Sequence, residues 1–473
     1  MLGGYNYRMS ARLKVMGLIG LGLVFLAGFL FVRNTPRLLE VIPKDGAQEV
    51  PATTPLRLRF SRPMLPASVE EHLAIIPLQA GSFSWEGTTL IFTPQSPWRS
   101  GATITVRLSA GARSAGWLPL ALLSEQEWSF IISRPRLVYL YPADQPANLY
   151  ALEPVSGAVE ILSESLFGVL DFSVAPDGTA IYYSARNATG GSDILRLERR
   201  FEEAMRWVST PILECPQALC RSPQPSPDGR WLAYERIPLA GSAPTLIPQV
   251  YLLALSQTGD AASTQPEGMP IGDPQHLTRL PLWSPAGLLS YYDIRQKAFV
   301  LFNPQDGTSR TLPNETGEPG CWSPDGKAFV APEILFLGGE QSGIATSHLM
   351  RYERLSGSVQ DLSQSPYLED TSPLFSPDGT RLVLARKYLD AARWTPGRQI
   401  WLMSPDGKEV QALTNAPYFN HSSFAWSPDG RQLAYLRFNQ EKLTDPPELW
   451  LMNADGSQPI QLVIGGYAPQ WIP

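Results

Sequence analysis

Apolar and polar residues alternate with a period of two along much of the chain. Leu56, Leu58 and Phe60 interleave with Arg57 and Arg59, and Ile104, Val106 and Leu108 with Thr105 and Arg107. That period turns one set of side chains into a core and the other into water, so each stretch predicts a half-buried strand. Trp128 to Ile132 predicts one more strand, closing a first β region over residues 36–133. One stretch departs from the pattern. Residues 15–32, VMGLIGLGLVFLAGFLFV, carry no charge and reach the lower limit for a helix that spans a bilayer. Arg8, Arg12 and Lys14 precede the run, and basic residues before a first span hold that end in the cytoplasm. A transmembrane signal anchor at 15–32 is therefore expected, with 1–14 cytoplasmic and the bulk of the chain outside a bacterial cell membrane as a single-pass protein. The alternative is a cleaved signal peptide, which has a shorter apolar core and small residues at its cleavage site.

Beyond residue 136 the chain repeats itself. Six copies of one motif read Val174-Ala-Pro-Asp-Gly178, Pro225-Ser-Pro-Asp-Gly229, Trp283-Ser-Pro-Ala-Gly287, Trp322-Ser-Pro-Asp-Gly326, Phe375-Ser-Pro-Asp-Gly379 and Trp426-Ser-Pro-Asp-Gly430. Their fourth positions lie 39 to 58 residues apart, a period that fits one four-stranded propeller blade with variable loops. Pro presets φ for the turn, Asp suits its third position and Gly accepts positive φ. A strand follows each copy, as at Trp231 to Tyr234 and Gln432 to Tyr435, and later strands at Gln399 to Met403 and Glu448 to Met452 run into further Asp-Gly turns. The first blade, from Leu137, lacks its opening strand. The C-terminal Ala468 to Pro473 carries Trp471 where other copies carry Trp283, Trp322 and Trp426. The C-terminus is thus expected to supply the missing strand and remove exposed edges.

These motifs resemble the TolB-type repeat, a WD40-like module, over about residues 137–473. The resemblance implies a β-propeller of about seven blades, with six as the alternative, and transfers no ligand. The first region resembles a bacterial Ig-like domain of the surface-layer type through Pro43-Lys-Asp-Gly-Ala47, Leu58-Arg-Phe-Ser-Arg-Pro-Met64, Gly81-Ser-Phe-Ser-Trp85 and Leu90-Ile-Phe-Thr-Pro94. That resemblance implies a β-sandwich acting as a spacer or adhesive module. The expected architecture is all-β: a transmembrane helix, an Ig-like sandwich over 36–133, and a propeller over 137–473 closed by its last strand.

Composition agrees with many short strands. The 473 residues include 45 Pro and 38 Gly, with only 17% charged. The net charge is −6 and no basic cluster occurs, which removes nucleic acid as a partner. Of three cysteines, Cys215 and Cys220 either close a small disulfide in an oxidising compartment or remain free thiols in a long loop. Four ligands at zinc spacing are lacking.

Catalytic signatures were sought next. No nucleophile elbow and no phosphate-binding loop occurs. No α/β hydrolase segment follows the repeats. His276, His348 and His421 fall in different predicted blades, while His72 lies in the first region. The five motif carboxylates Asp177, Asp228, Asp325, Asp378 and Asp429 are one per blade. Calcium needs six to eight oxygens at one point, so these residues are read as turn stabilisers. No catalytic residue, cofactor or metal is expected. Trp207 and Trp394 fall outside the repeat register and are candidate exposed contacts. The expected function is a membrane-anchored, extracytoplasmic, non-enzymatic binding or scaffold protein. Its partner would be a protein or peptide at the propeller mouth, or a cell-wall glycan. The alternative is a carbohydrate-binding or carbohydrate-active propeller, a lyase or hydrolase.

Overall fold

The computed structural model describes residues 35–472, apart from 53, 118, 202–204, 240–246, 256–267 and 337–344, and it leaves out the side chains of 199–206. The chain divides into two compact units at Ser133 and Arg134.

The first unit holds two antiparallel sheets. One orders its strands Leu38–Ile42, Leu56–Phe60, Thr89–Pro94, Gly81–Glu86, and the other Leu73–Ile76, Thr103–Leu108, Gln126–Ile131. The alternation read from the sequence is the burial pattern seen: Leu56, Leu58 and Phe60 are buried while Arg57 and Arg59 face water. Trp98 sits wholly inside this core, where its indole N–H donates to the Thr54 carbonyl at 2.8 Å. That bond satisfies the one polar atom of a large buried ring. A short helix, Pro66–His72, was not legible in the period-two pattern; Pro at its start presets the helical φ.

The second unit is built from antiparallel sheets of repeated strands. In the Ser-Pro-Asp-Gly turns the hydroxyl and carboxylate work together. Ser226 Oγ donates to Asp228 Oδ1 at 2.6 Å, Asp228 Oδ1 also accepts from the Arg230 N–H, and Ser226 Oγ accepts from the Trp231 N–H. Ser323 with Asp325, Ser376 with Asp378 and Ser427 with Asp429 repeat the bond. The motif carboxylates are thus spent on their own turns.

Apolar cores lie between successive sheets, and tryptophans cross them. Trp283 Nε1 donates to the Gln224 carbonyl, Trp322 Nε1 to Ser290 Oγ and Trp471 Nε1 to the Ala425 carbonyl, at 2.9 to 3.1 Å. The C-terminal strand Tyr467–Ile472 pairs antiparallel with Arg136–Tyr141.

The expected fold is corrected on two counts. First, the repeat strands do not stand as seven separate blades in a closed propeller. They form five sheets, two of which are eight-stranded, each a path of seven strands with one strand branching from it, running from Val169–Val174 to Met269–Pro270 and from Cys321–Trp322 to Gln411–Ala412. Their ladders continue through short parallel pairings of Ser192 with Leu219 and Ser347 with Glu369. Serine hydroxyls hold these junctions: Ser184 and Ser192 both donate to the Cys220 carbonyl, and Ser347 to that of Asp370. Second, no helix among the described residues is long and apolar enough to cross a membrane. The transmembrane helix and the single-pass membrane localisation are withdrawn, and residues 15–32, on which they rested, lie outside the described residues. What stands is an all-β chain with an Ig-like domain and a unit of β-rich sheets.

The buried ion pair of the second unit gives a test. The Arg386 guanidinium donates twice to Asp370, Nε to Oδ1 and Nη2 to Oδ2, both at 2.7 Å, with the two side chains 5% and 0% exposed. Removing one partner leaves an uncompensated buried charge. Asp370→Ala is expected to lower the unfolding free energy of this unit by about 3–5 kcal/mol, read from urea denaturation. A shift below about 1 kcal/mol would show that water reaches the pair.

Candidate functional site

Three loops that leave the outer strands of the repeats share one construction. Leu162, Leu362 and Leu413 donate their N–H to the carbonyls of Leu149, Leu349 and Ile400. The next residue, Ser163, Ser363 or Thr414, accepts an N–H from that same partner at 2.8 to 3.0 Å. A polar side chain then grips the loop. Asn148 Oδ1 accepts from Ser165 N–H and its Nδ2 donates to the Ser165 carbonyl; Gln399 treats Ala416 in the same way. Two residues further on, each loop presents an aromatic ring: Phe167, Tyr367 and Tyr418, exposed by 46%, 55% and 49%. Rings that are normally buried are here held in water by stiff backbone.

The loop between strands Leu382–Tyr388 and Gln399–Met403 joins two of these positions. Leu389 N–H donates to the Tyr367 carbonyl, and Gly397 N–H to the Pro417 carbonyl beside Tyr418. Trp394 stands on that loop, 54% exposed, with the Lys387 ammonium 5.0 Å from its ring centre. Arg393 lies 4.0 Å over Tyr388 and pairs with Asp390 at 2.7 Å. Tyr367, Trp394 and Tyr418 therefore stand on adjoining loops. Such π-rich, cation-flanked surfaces suit contact with another polypeptide or with flat ligand faces.

Trp207, the other tryptophan singled out from the sequence, is half-buried. It walls a groove of about 750 Å³ whose floor holds Tyr183, Leu195 and Leu197 and whose rim holds Ile161, Phe167, Glu160 and Glu164. Tyr183 Oη and Ser209 Oγ are 2.7 Å apart, and burial raises the Tyr183 phenol while that hydrogen bond opposes the shift. Asp193 lines the same groove, and its Oδ1 accepts from Asn187 Nδ2 and from Cys215 N–H. That bond anchors a disulfide between Cys215 and Cys220. Of the two readings left open for these thiols, the structure adopts the bonded one. Cys321 is free and buried, its thiol pushed up to about 12 by burial.

The histidines do not converge. His276 bonds Asp293 at 2.7 Å, His348 bonds Asp361 at 2.8 Å, His421 Nδ1 meets the Arg398 carbonyl and His72 Nδ1 the Ser68 carbonyl. No group of three or more His, Cys, Asp or Glu that could hold a metal occurs among the described residues.

Sequence reasoning missed a set of carboxylates on the opening strands. Ser222 and Leu280 adopt positive φ at strand bulges, which turns their N–H groups outward from the ladder. Asp171 Oδ2 and Glu235 Oε1 capture those N–H groups at 2.9 and 2.8 Å. Burial pushes the Asp171 carboxyl up to about 6 against the pull of the Ser222 N–H and Arg221. A signal was available: Ser222-Pro223 and Leu280-Pro281 place a non-Gly residue before Pro inside a strand, where Pro marks a bulge.

Residues 32–131 match the family of the bacterial Ig-like domain. No curated protein matches the chain. Among solved structures the chain is similar to a TolB candidate from Agrobacterium tumefaciens, with 22% identity over 55% of this chain and 87% of that one and a TM-score of 0.39. It is also similar to TolB from Acinetobacter baumannii, with 15% identity over 85% and 83% and a TM-score of 0.43. A puromycin hydrolase shares 14% identity over 70% of this chain and 52% of its own, with a TM-score of 0.50. At 14% identity the likeness to the puromycin hydrolase speaks to fold alone.

His421 supplies a pH test. Burial lowers its imidazole to about 4, outweighing the Arg398 carbonyl bond. The unfolded group, near 6.5, binds the proton more readily. Its contribution is therefore fully present above about pH 6.5 and is lost as pH falls toward 4, on the order of 3 kcal/mol. His421→Gln is expected to flatten the stability profile between those pH values; an unchanged slope would place the acid sensitivity on other groups.

Proposed function

We propose that the chain is a binding or scaffold protein whose second unit holds a protein or peptide partner on its loop aromatics. The observation that carries this reading is the adjoining exposed set Tyr367, Trp394 and Tyr418, each on a loop held by backbone hydrogen bonds: Leu389 N–H to the Tyr367 carbonyl, Trp394 N–H to that of Asp390 and Gln440 N–H to that of Tyr418. Prepaid loop ordering lowers the entropic cost of binding. Aromatic anchors of this kind are the commonest source of binding energy in protein interfaces. The Ig-like domain serves in this reading as a spacer. The carboxylates nearest the groove support binding over turnover, because Asp193 is committed to the disulfide loop and Glu160 to Arg136 at 2.7 Å.

The test is retention of host proteins and of purified host cell-wall glycan on the immobilised chain, repeated with Tyr367→Ala, Trp394→Ala and Tyr418→Ala combined. Each truncated anchor is worth about 2 kcal/mol, so the combined variant should lose well over tenfold in affinity for a retained protein. Its melting temperature should stay within a few degrees, because all three rings are exposed. Equal retention by the variant, or retention of glycan alone, overturns the reading.

A further inference from the structure

The groove walled by Trp207 lies beside a strand whose outer edge has no ladder partner among the described residues. Ala158–Ile161 is the terminal strand of its sheet, paired only with Asn148–Glu153, and all four of its residues are exposed. An open edge presents N–H and C=O groups that a passing extended chain can pair. Natural sheets protect such edges with lysine, proline or a cover. This one carries Val159 and Ile161 instead, 54% and 56% exposed. Backbone and groove meet at Glu160 and Ile161, which belong to the strand and also line the cavity.

The groove's charge states what kind of chain fits. Its ionisable lining consists of Glu160, Glu164, Asp193 and the single cation Arg186. With Glu160 paired to Arg136 at 2.7 Å, Glu164 and Asp193 still outweigh Arg186 and favour a basic occupant. The apolar floor of Tyr183, Leu195 and Leu197 beside Trp207 favours an apolar side chain next to each basic one. An extended segment supplies that alternation, since successive side chains point to opposite faces.

We propose that this groove binds an extended peptide segment of alternating basic and apolar residues, which adds as a strand to Ala158–Ile161. Its apolar side chains enter the pocket beside Trp207, and an ammonium or guanidinium group meets Glu164. The proposal does not depend on the role given to Tyr367, Trp394 and Tyr418.

The test uses the full chain and a synthetic, end-blocked octapeptide of alternating Lys and Leu, followed by calorimetry. Two further peptides are an alternating Glu-Leu octapeptide and a Lys-Leu octapeptide N-methylated at every second backbone nitrogen. The Lys-Leu peptide should bind, and the other two at least tenfold more weakly. Glu164→Gln and Trp207→Ala should each weaken binding of the Lys-Leu peptide about tenfold. Glu127→Gln, at a carboxylate that does not line the groove, should leave it unchanged. Equal losses at Glu127 and Glu164 would mean unspecific attraction to a net-negative chain and overturn the proposal. Equal binding of the N-methylated peptide would overturn strand addition. Self-association of the unliganded chain in sedimentation, lost with Trp207→Ala, would assign the groove to a second copy and overturn it as well.

Discussion

The second unit depends on one constraint: each sheet must bury a face against its neighbour while few polar atoms are stranded between them, and the Trp426 indole N–H is one that finds no partner among the described residues. Apolar clusters fill those seams. One joins Val138, Leu140 and Leu149 to Phe172, Ile181 and Tyr183, and another joins Val383, Ile400 and Leu402 to Trp426, Leu433 and Tyr435. Burial of this kind is non-directional and would allow sheets to slide. Direction comes from indole N–H groups that cross a seam to a fixed acceptor, as Trp283 does to Gln224 and Trp471 to Ala425. Gln470 adds to this by accepting from the Val174 N–H and donating to the Phe172 carbonyl. A buried donor left unmade costs more than a made bond returns, so register between sheets is specified by these few atoms.

The same rule explains why the loops can carry exposed rings. A loop with mobile backbone would let Tyr367 or Tyr418 fold back onto the nearest apolar surface. Here the residue two positions before each ring of Phe167 and Tyr418 is held by both its N–H and its carbonyl, through Asn148 or Gln399. Stability of the sheets and availability of the rings therefore have a common physical origin in side-chain-to-backbone bonds.

Much of this was legible in the sequence, for local reasons. The turns were readable because Ser, Pro, Asp and Gly each have a fixed conformational role there, and the structure shows Ser226 and Asp228 using it. Period-two alternation located Leu56–Phe60 and Thr103–Leu108. What escaped was non-local. Nothing in the spacing of Ser192 and Leu219 reveals that they pair in parallel and fuse two repeats into one sheet, so separate blades were expected. The 18-residue apolar run was read from its length and the basic residues before it, and the described residues hold no membrane-length helix. Asp171 and Glu235 carry no signature of their own in the sequence. Their role exists only because bulges at Ser222 and Leu280 on the following strands turn two N–H groups toward them. Trp207 and Trp394 were found by falling out of register, which flags an aromatic but not whether it walls a groove or stands in water.

The gripping position before the third strand shows what these repeats demand and what they leave free. Asn148, Gln249, His348 and Gln399 occupy it in four repeats, each followed by a residue whose N–H meets a Ser or Thr hydroxyl. The amides satisfy loop donors and acceptors at no electrostatic cost. His348 fills the position differently, with Nδ1 on the Asp361 carboxylate at 2.8 Å. Burial disfavours its charged form, yet the Asp361 bond and charge outweigh that and raise its affinity for a proton. A raised imidazole stabilises the fold below its unfolded value and ceases to do so as pH rises through the folded one. Asp361, held below the usual carboxylate range by the same pair against the effect of burial, contributes above its unfolded value and fails as pH falls. The loop that carries Tyr367 is therefore best held between those two limits, whereas the amides of Asn148 and Gln399 that grip the loops of Phe167 and Tyr418 do not titrate. One position in the fold, filled by an amide or by an imidazole, decides whether the grip on the loop above it is itself sensitive to pH.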